Sequence, residues 1–344
     1  EISSGLVILF LSIFTYHLIE KPFRNKKNQF KTLLIILLSS IIFLFCFNYY
    51  VINNDGIKSR IPKIFDVKLS KDNVNFYQKK NTQKVILIGD SHARALQYSL
   101  NEEIKKNNLS LFRFPTRMYL KDFNFVNRKT KKIEKEYFES NVKIDDFLKE
   151  NSNLIVIFHQ RWSVAYLETY FDNEEGFKEM SKLKSDSYYE PINIKTSSLQ
   201  QRQKYIEERL IDQINNIINK GHKLILVYPV PEMGFNVLKQ LKNKYVKDKF
   251  SFTQSKPPII SVSYELFKKR NETIFKILDN IKNPNIYRVY PHKLFCDKLI
   301  ENRCIANDEK TIFYYDDDHL SIQGSKLVVD EIFKEIENIE FESN

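Results

Sequence analysis

Glycine is scarce in this chain of 344 residues: there are seven, and none lies between Gly89 and Gly176. A Walker or Rossmann nucleotide site is thereby excluded, because both place closely spaced glycines where backbone N–H groups must approach phosphate. Cysteine is rarer still, at three residues, and no second Cys or His pair stands at ligand spacing to complete a zinc centre. Acidic residues are outnumbered, 43 against 54 Lys and Arg, for a net charge of +11. No base-stacking RNA motif or helical basic stripe accompanies that charge, so nucleic acid is not the expected partner. An anionic surface, lipid headgroups or acidic glycan, suits it better. No internal repeat or low-complexity tract interrupts the chain.

Long apolar runs, by contrast, are present at one end. Thr32 to Ile52 carries no charge over 21 residues, enough for a helix to span about 30 Å of hydrocarbon. Ile2 to Ile19 is nearly as apolar, with only His17 near its end. A cleaved signal peptide competes for either run, but no basic leader precedes Ile2 and no small-x-small site follows Ile52. Two transmembrane spans are therefore expected, residues 1–20 and 32–52, with a loop of five basic residues at 21–31 preceded by the one acidic residue Glu20. The positive-inside rule holds that loop in the cytoplasm and sends everything after Ile52 to the outside. A chain that opens inside a hydrophobic run also reads as the C-terminal portion of a longer protein. Outside the membrane, Cys296 and Cys304 are eight positions apart and read as a disulfide, with a zinc site as the alternative. Cys46 falls in the second apolar run and reads as a packing residue.

The chemistry concentrates in two short motifs. Gly89-Asp90-Ser91-His92 follows the apolar strand Val85-Ile86-Leu87-Ile88, placing a hydroxyl on a strand-to-helix turn. Asp316-Asp317-Asp318-His319-Leu320-Ser321 supplies a carboxylate three residues before a histidine. Together they contain the parts of a Ser-His-Asp triad: Ser91 as nucleophile, His319 as base and then acid, Asp316 orienting the ring. Either motif alone has a plainer reading, a chance GDS or a solvated turn of carboxylates able to hold a cation.

Strand-G-D-S-H early in a domain and D-x-x-H-L-S at its end resemble the first and last blocks of the SGNH hydrolase family. That resemblance implies an α/β, flavodoxin-like three-layer fold with a parallel sheet over residues 83–344. Tyr16-His17-Leu18-Ile19-Glu20-Lys21-Pro22-Phe23-Arg24 resembles the E-x-P-x-R tail of the last helix of acyltransferase-3 membrane proteins. Its plain alternative is a helix stop made by proline beside headgroup-binding cations. Some members of that family carry an extra helix and then an extracytoplasmic SGNH domain, and they resemble this chain in having a cysteine pair before the last motif. Residues 53–82 then read as an extension packing on the domain, with Gly56-Ile57-Lys58-Ser59-Arg60 similar to the G-x-x-x-R found there.

The alternation of elements agrees with such a fold. Short apolar strands at Val85–Ile88, Leu111–Phe114, Leu154–Phe158, Leu224–Val227 and Ile286–Val289 are separated by helical patterns, the sign of a parallel sheet covered on both faces. Residues 115–152 and 164–198 are charged, aromatic and poorly periodic, and read as insertions that shape an acceptor groove or simply cover the core.

The family pattern also fails in places. The glycine of the second block is missing, and strand Leu154–Phe158 runs into His159-Gln160-Arg161-Trp162 instead of G-x-N-D. Gln160 and Arg161 are the replacement candidates for stabilising an oxyanion, with an ion pair as the alternative role of Arg161. Trp162 is a sugar platform or a core plug. His159 competes with His319 for the base role, His92 reads as structural, and Asp317 and Asp318 read as helix caps or solvated carboxylates. Val230-Pro231-Glu232 resembles the fused family without an evident role.

The resulting expectation is an O-acyltransferase of the bacterial inner membrane, transferring acetyl to a hydroxyl of a cell-surface polysaccharide such as lipopolysaccharide by a ping-pong cycle through Ser91. Its partners would be the glycan acceptor, the lipid bilayer and the membrane acyltransferase domain of the same polypeptide. That membrane domain would use acetyl-CoA, and the outer domain would need no cofactor or metal. A de-acetylating esterase or a silent glycan-binding module are the alternatives.

Overall fold

The computed structural model describes residues 2–24, 30–53, 63–70, 74–120, 122–176, 184–250 and 257–339. The chain divides into two compact units, residues 1–62 and 63–344.

In the first unit, α1 (Ile2–Thr15) runs into a π-helical turn (Tyr16–Glu20) and a short α2 (Lys21–Arg24), and α3 covers Phe30–Asn53. Among the described residues only α3 is long and apolar enough to cross a membrane, with a mean hydropathy of 2.3 over Leu34–Asn53. Large apolar side chains such as Ile35, Phe43 and Phe45 are exposed along it, an arrangement that suits lipid and not water. The first expected span, residues 1–20, falls on α1 and the π-helical turn that continues it without a break into α2. The regular helix gives way to the π turn at Tyr16-His17. Arg24 closes an exposed pair with Glu20 at 3.1 Å. Residues 25–29 of the basic loop and the Gly56 to Arg60 pattern lie outside the described residues.

The second unit is built on five parallel strands, β1 (Lys84–Gly89), β2 (Ser110–Pro115), β4 (Ile155–Phe158), β6 (Lys223–Val227) and β8 (Ile286–Val289). Their order is β2-β1-β4-β6-β8, so the expected parallel sheet is present. The register aligns Ile86, Val156, Leu224 and Ile286 across four strands. Because side chains alternate between faces, these and Ile88, Phe158 and Leu226 share one face. There they pack with Ile144 and Leu148 of α5 (Lys135–Glu150), Ile214 of α7 (Leu199–Asn219) and Ile274 of α9 (Tyr264–Asn280). Val85, Leu87, Ile155, Ile157, Ile225 and Val227 point the other way and are also buried. That face is covered by α4 (Ser91–Lys106) and α11 (Ile322–Glu337), which pack together and share a hydroxyl contact, Ser99 to Ser325, at 2.8 Å. Burial on both faces explains why these strands are continuously apolar.

The region 115–152 is more regular than expected. It contains β3 (Phe123–Asn127) and the 16-residue α5. Its helical signal is faint because, of its apolar residues, only Ile144 and Leu148 are fully buried, one turn apart, among charges. β3 pairs antiparallel with β5 (Ser187–Pro191) from the second irregular region. Short helices α6 (Trp162–Leu167) and α10 (His292–Phe295), the 14-residue α8 (Val237–Phe250), and the antiparallel pair β7 (Ser261–Ser263) and β9 (Arg303–Ile305) complete the unit. Cys296 and Cys304 are joined by a disulfide beside β9. The described part of the segment before β1 lies on the domain: Ser70 Oγ accepts from Tyr98 N at 3.1 Å, Lys68 O accepts from Ile322 N at 3.0 Å, and Phe65 is buried.

Two glycines allow the close approaches that position the functional loops. Gly89, at φ +146°, leaves no room for a Cβ, which would stand 1.6 Å from the His159 carbonyl oxygen. Gly324 in α11 meets the Phe313 carbonyl in the same way, at 2.1 Å. Gly89→Ala therefore forces β1 and β4 apart at their carboxyl ends. A loss of about 3 kcal/mol or more in unfolding free energy is expected, and denaturant titration of the variant checks it.

Candidate active site

The sheet order reverses at β1, whose chain leaves toward β2 on one side and returns through β4 on the other. In open α/β sheets the crevice at the carboxyl ends of such strands is the ligand site. Ser91 opens α4 immediately after β1. Asp90 caps that helix, accepting from His92 N at 2.9 Å, while its other carboxylate oxygen accepts from Arg161 N at 2.9 Å. One side chain thus ties the β1 turn to the β4 turn. The Ser91 N–H is among those that a helix start leaves without an intrahelical partner.

The aspartate-rich loop forms its own tight turn before α11. Asp316 Oδ1 accepts from the backbone of Asp318 at 3.1 Å and of His319 at 2.8 Å, and Asp316 Oδ2 lies 2.9 Å from His319 Nδ1. The Asp316–His319 association expected from their spacing is therefore formed. Asp318 is corrected: it is neither a cap nor solvated, but 3% exposed. Its Oδ1 lies 2.9 Å from His319 Nδ1, and its Oδ2 lies 3.1 Å from His92 Nε2 and 2.8 Å from Arg161 Nη1. The cap of α11 is Ser321, whose Oγ accepts from Gly324 N at 3.0 Å. Burial and the charge of Asp318 push the Asp317 carboxyl up to about 6.

With Nδ1 held by two carboxylates, His319 presents Nε2, which is buried and has no hydrogen-bond partner. Burial disfavours its charged form, but Asp316 and Asp318 outweigh that and raise the ring to about 10. Ser91 forms no hydrogen bond to His319 here. The rings of His319 and of His92, the next residue after Ser91, have centroids 5.4 Å apart. Catalytic contacts of this kind often tighten only when substrate is bound.

His159 does not serve as the alternative base. It is buried, its Nδ1 donates to the Val227 carbonyl at 3.2 Å, and burial followed by the neighbouring His92 lowers it to about 3. Of the two readings of Trp162, the structure takes the core plug: it is 1% exposed and its Nε1 donates to Val227 O at 3.0 Å. Gln160 is buried with both amide atoms unpartnered, an arrangement that costs stability unless a ligand atom or water completes it. Arg161 bridges Asp318 and Glu232, its Nε donating to Glu232 Oε1 at 2.6 Å, and its guanidinium lies over the Tyr170 ring at 5.5 Å. Arg270 reaches the other Glu232 oxygen at 2.7 Å. Glu232, in the Val230-Pro231-Glu232 segment whose role the sequence left open, is thus the anchor for two arginines. The same loops are stitched by Tyr314 Oη to Pro231 O at 2.7 Å and Met233 N to Asp317 O at 2.7 Å.

Ser91 faces a cleft of about 340 Å³, shared with Arg117, Arg161, Tyr170, Asp186 and Tyr189. Most of that wall comes from the two irregular regions of the sequence.

Residues 63–334 match the family described as SGNH domain (fused to AT3 domains). The chain belongs to this family. No curated protein matches it. Among solved structures, the SGNH domain is similar to the periplasmic domain of a lipopolysaccharide acetyltransferase of Salmonella ser. Paratyphi A, with 18% identity, 75% of this chain and 85% of that chain covered, and a TM-score of 0.49. It is also similar to a Bacteroides fragilis protein described as an acylhydrolase (11% identity, 76% and 89% covered, TM-score 0.37). A third is a GDSL-like lipase of Bacteroides thetaiotaomicron (11% identity, 76% and 91% covered, TM-score 0.36).

Two outcomes follow for the charge network of this SGNH domain. Arg161→Met takes one cationic partner from each of two buried carboxylates, and a loss of about 3 kcal/mol is expected in denaturant unfolding. His319, raised in the folded state from an ordinary value near 6.5 to about 10, contributes stability that is complete below about pH 6.5 and fades as pH climbs to 10. The thermal midpoints of wild type and His319→Gln should therefore differ most near pH 6 and converge by about pH 10; a gap independent of pH would contradict the paired imidazolium.

Proposed function

We propose that the outer domain takes an acyl group, acetyl in the simplest case, onto Ser91 and passes it to a hydroxyl of a cell-surface polysaccharide. The observation that carries this reading is the state of His319: Nδ1 is fixed by Asp316 and Asp318 while Nε2 is buried and unpartnered beside the start of the helix that bears Ser91. In that arrangement Ser91 Oγ attacks the acyl carbonyl and gives its proton to Nε2, which returns it to the leaving group. The acceptor hydroxyl then attacks the acyl-enzyme, its proton passes to Nε2, and Ser91 leaves as the alcohol. Asp316 and Asp318 stabilise the imidazolium formed in each half. Gln160 and the Ser91 N–H are the proposed donors to the oxyanion, in place of the family's glycine and asparagine.

The family's association with AT3 domains supports an origin of the acyl group in a membrane partner within the same polypeptide, with acetyl-CoA as the donor on the far side. The exposed apolar surface of α3 supports its role as the span that carries the domain across the bacterial inner membrane to the periplasmic side. Water in place of the sugar hydroxyl would make the same residues an esterase.

Replacement of Ser91 by Ala, at equal expression of the full-length protein, should lower the ester-linked acetyl content of the surface polysaccharide to background. An increase would assign a de-acylating esterase, and an unchanged content would leave a binding module. Because only the neutral His319 accepts a proton, acylation of Ser91 by an activated acetyl ester should accelerate with pH toward about 10. Asp318→Asn should shift that rise to lower pH, and pre-steady-state burst kinetics measure both.

A further inference from the structure

Ser91 stands between two clefts. Besides the larger one, it lines a second of about 250 Å³ that includes Asp90, Arg94, Arg113, Arg117 and Tyr137. The three arginines come from separate places in the fold: Arg94 from α4, Arg113 from β2 and Arg117 from the chain after β2. Among the described residues that line this cleft, the one carboxylate is Asp90. Both its oxygens are already engaged by the backbone N–H groups of His92 and Arg161.

Arg117 is the member held in place by aromatic rings, with Glu134 the carboxylate that acts on its charge from a distance. Its Nε donates to Tyr137 Oη at 2.7 Å, and its guanidinium lies over the rings of Phe125 at 5.3 Å and Tyr137 at 5.1 Å. The side chain is exposed, makes no ion pair with a carboxylate among the described residues, and lines both clefts. Stacking on two rings fixes the plane of the fork, so its terminal N–H groups are preset for bidentate contact with a planar or tetrahedral anion. A neutral polysaccharide has no use for a guanidinium so fixed beside Ser91. An acidic one does, because a carboxylate or phosphate seated there fixes which neighbouring hydroxyl reaches acyl-Ser91.

We infer that the arginine cleft beside Ser91 binds the anionic group of an acidic sugar and thereby selects the acceptor; this rests on the acyl-transfer reading above. The test uses the full chain in detergent carrying Ser91→Ala, so that binding is read without turnover. Calorimetric titration with sodium glucuronate, with glucose 6-phosphate and with glucose should show binding of one or both acids, weakened by salt, and none of glucose at the same concentrations. Whichever acid binds more tightly tells carboxylate from phosphate recognition. Arg117→Gln should weaken the acid about tenfold or more, and Arg117→Lys, which keeps the charge but not the fork, should recover only part. Glucose binding as well as the acids, or Arg117→Gln binding like its parent, overturns the inference. The two readings fail separately. Acid binding with no Ser91-dependent acetylation removes the chemistry and keeps the site, whereas acetylation without acid binding does the reverse.

Discussion

The buried carboxylate of Asp318 is the point on which the site depends. Taking a carboxylate out of water costs several kcal/mol unless it is paired, and burial alone would push its proton affinity up. Arg161, with His319 and His92, reverses that and holds Asp318 well below the ordinary carboxylate range. Each partner comes from a different part of the chain. His92 follows Ser91 in α4, Arg161 follows β4, and His319 belongs to the last loop. A single charge therefore draws together the three loops around Ser91.

Glu232 extends the same logic outward. Burial opposes its ionisation, but Arg161 and Arg270 hold it below its ordinary value. The pair Arg161–Glu232 fastens the loop after β4 to the loop after β6, and Arg270 fastens both to α9 and to the Thr169 carbonyl at 2.7 Å. Such networks contribute little net stability compared with an apolar core of the same volume. What they supply is position: the backbone around Ser91 and the ring of His319 are held before substrate arrives, which is what electrostatic preorganisation requires.

A generic scaffold and a specific wall are also divided between different parts of the chain. The parallel sheet, α4 and α11 carry Ser91 and the aspartate-rich loop, whereas the two regions that contain β3, α5 and β5 supply Arg117, Tyr137, Asp186 and Tyr189 around them. Substitutions in that wall leave Ser91 and His319 where they are, so under the proposed function substrate choice can change without rebuilding the chemistry.

The sheet was legible in the sequence because its strands are short, continuously apolar and buried on both faces, and that pattern has one common architecture. The placement of Ser91 and the contact of His319 with Asp316 were legible because a strand-to-helix turn and an i to i+3 spacing are local geometry. Asp318 was not, since three consecutive aspartates look alike until folding turns one inward and leaves its neighbours at the rim. Nor could the roles of Glu232, Arg161 and Arg117 be read from order along the chain. Arg161 and Glu232 are 71 positions apart, and His92 and Asp318 are 226 apart. Trp162 went to the core and not to a ligand because α6 turns its ring inward under the sheet end, a choice made by packing. Local sequence by itself determined the elements and the reactive motifs, through hydrophobic period and turn chemistry. Tertiary structure alone decided which charges are buried together, because the dielectric around a carboxylate and the identity of its partners are set by the whole packed chain.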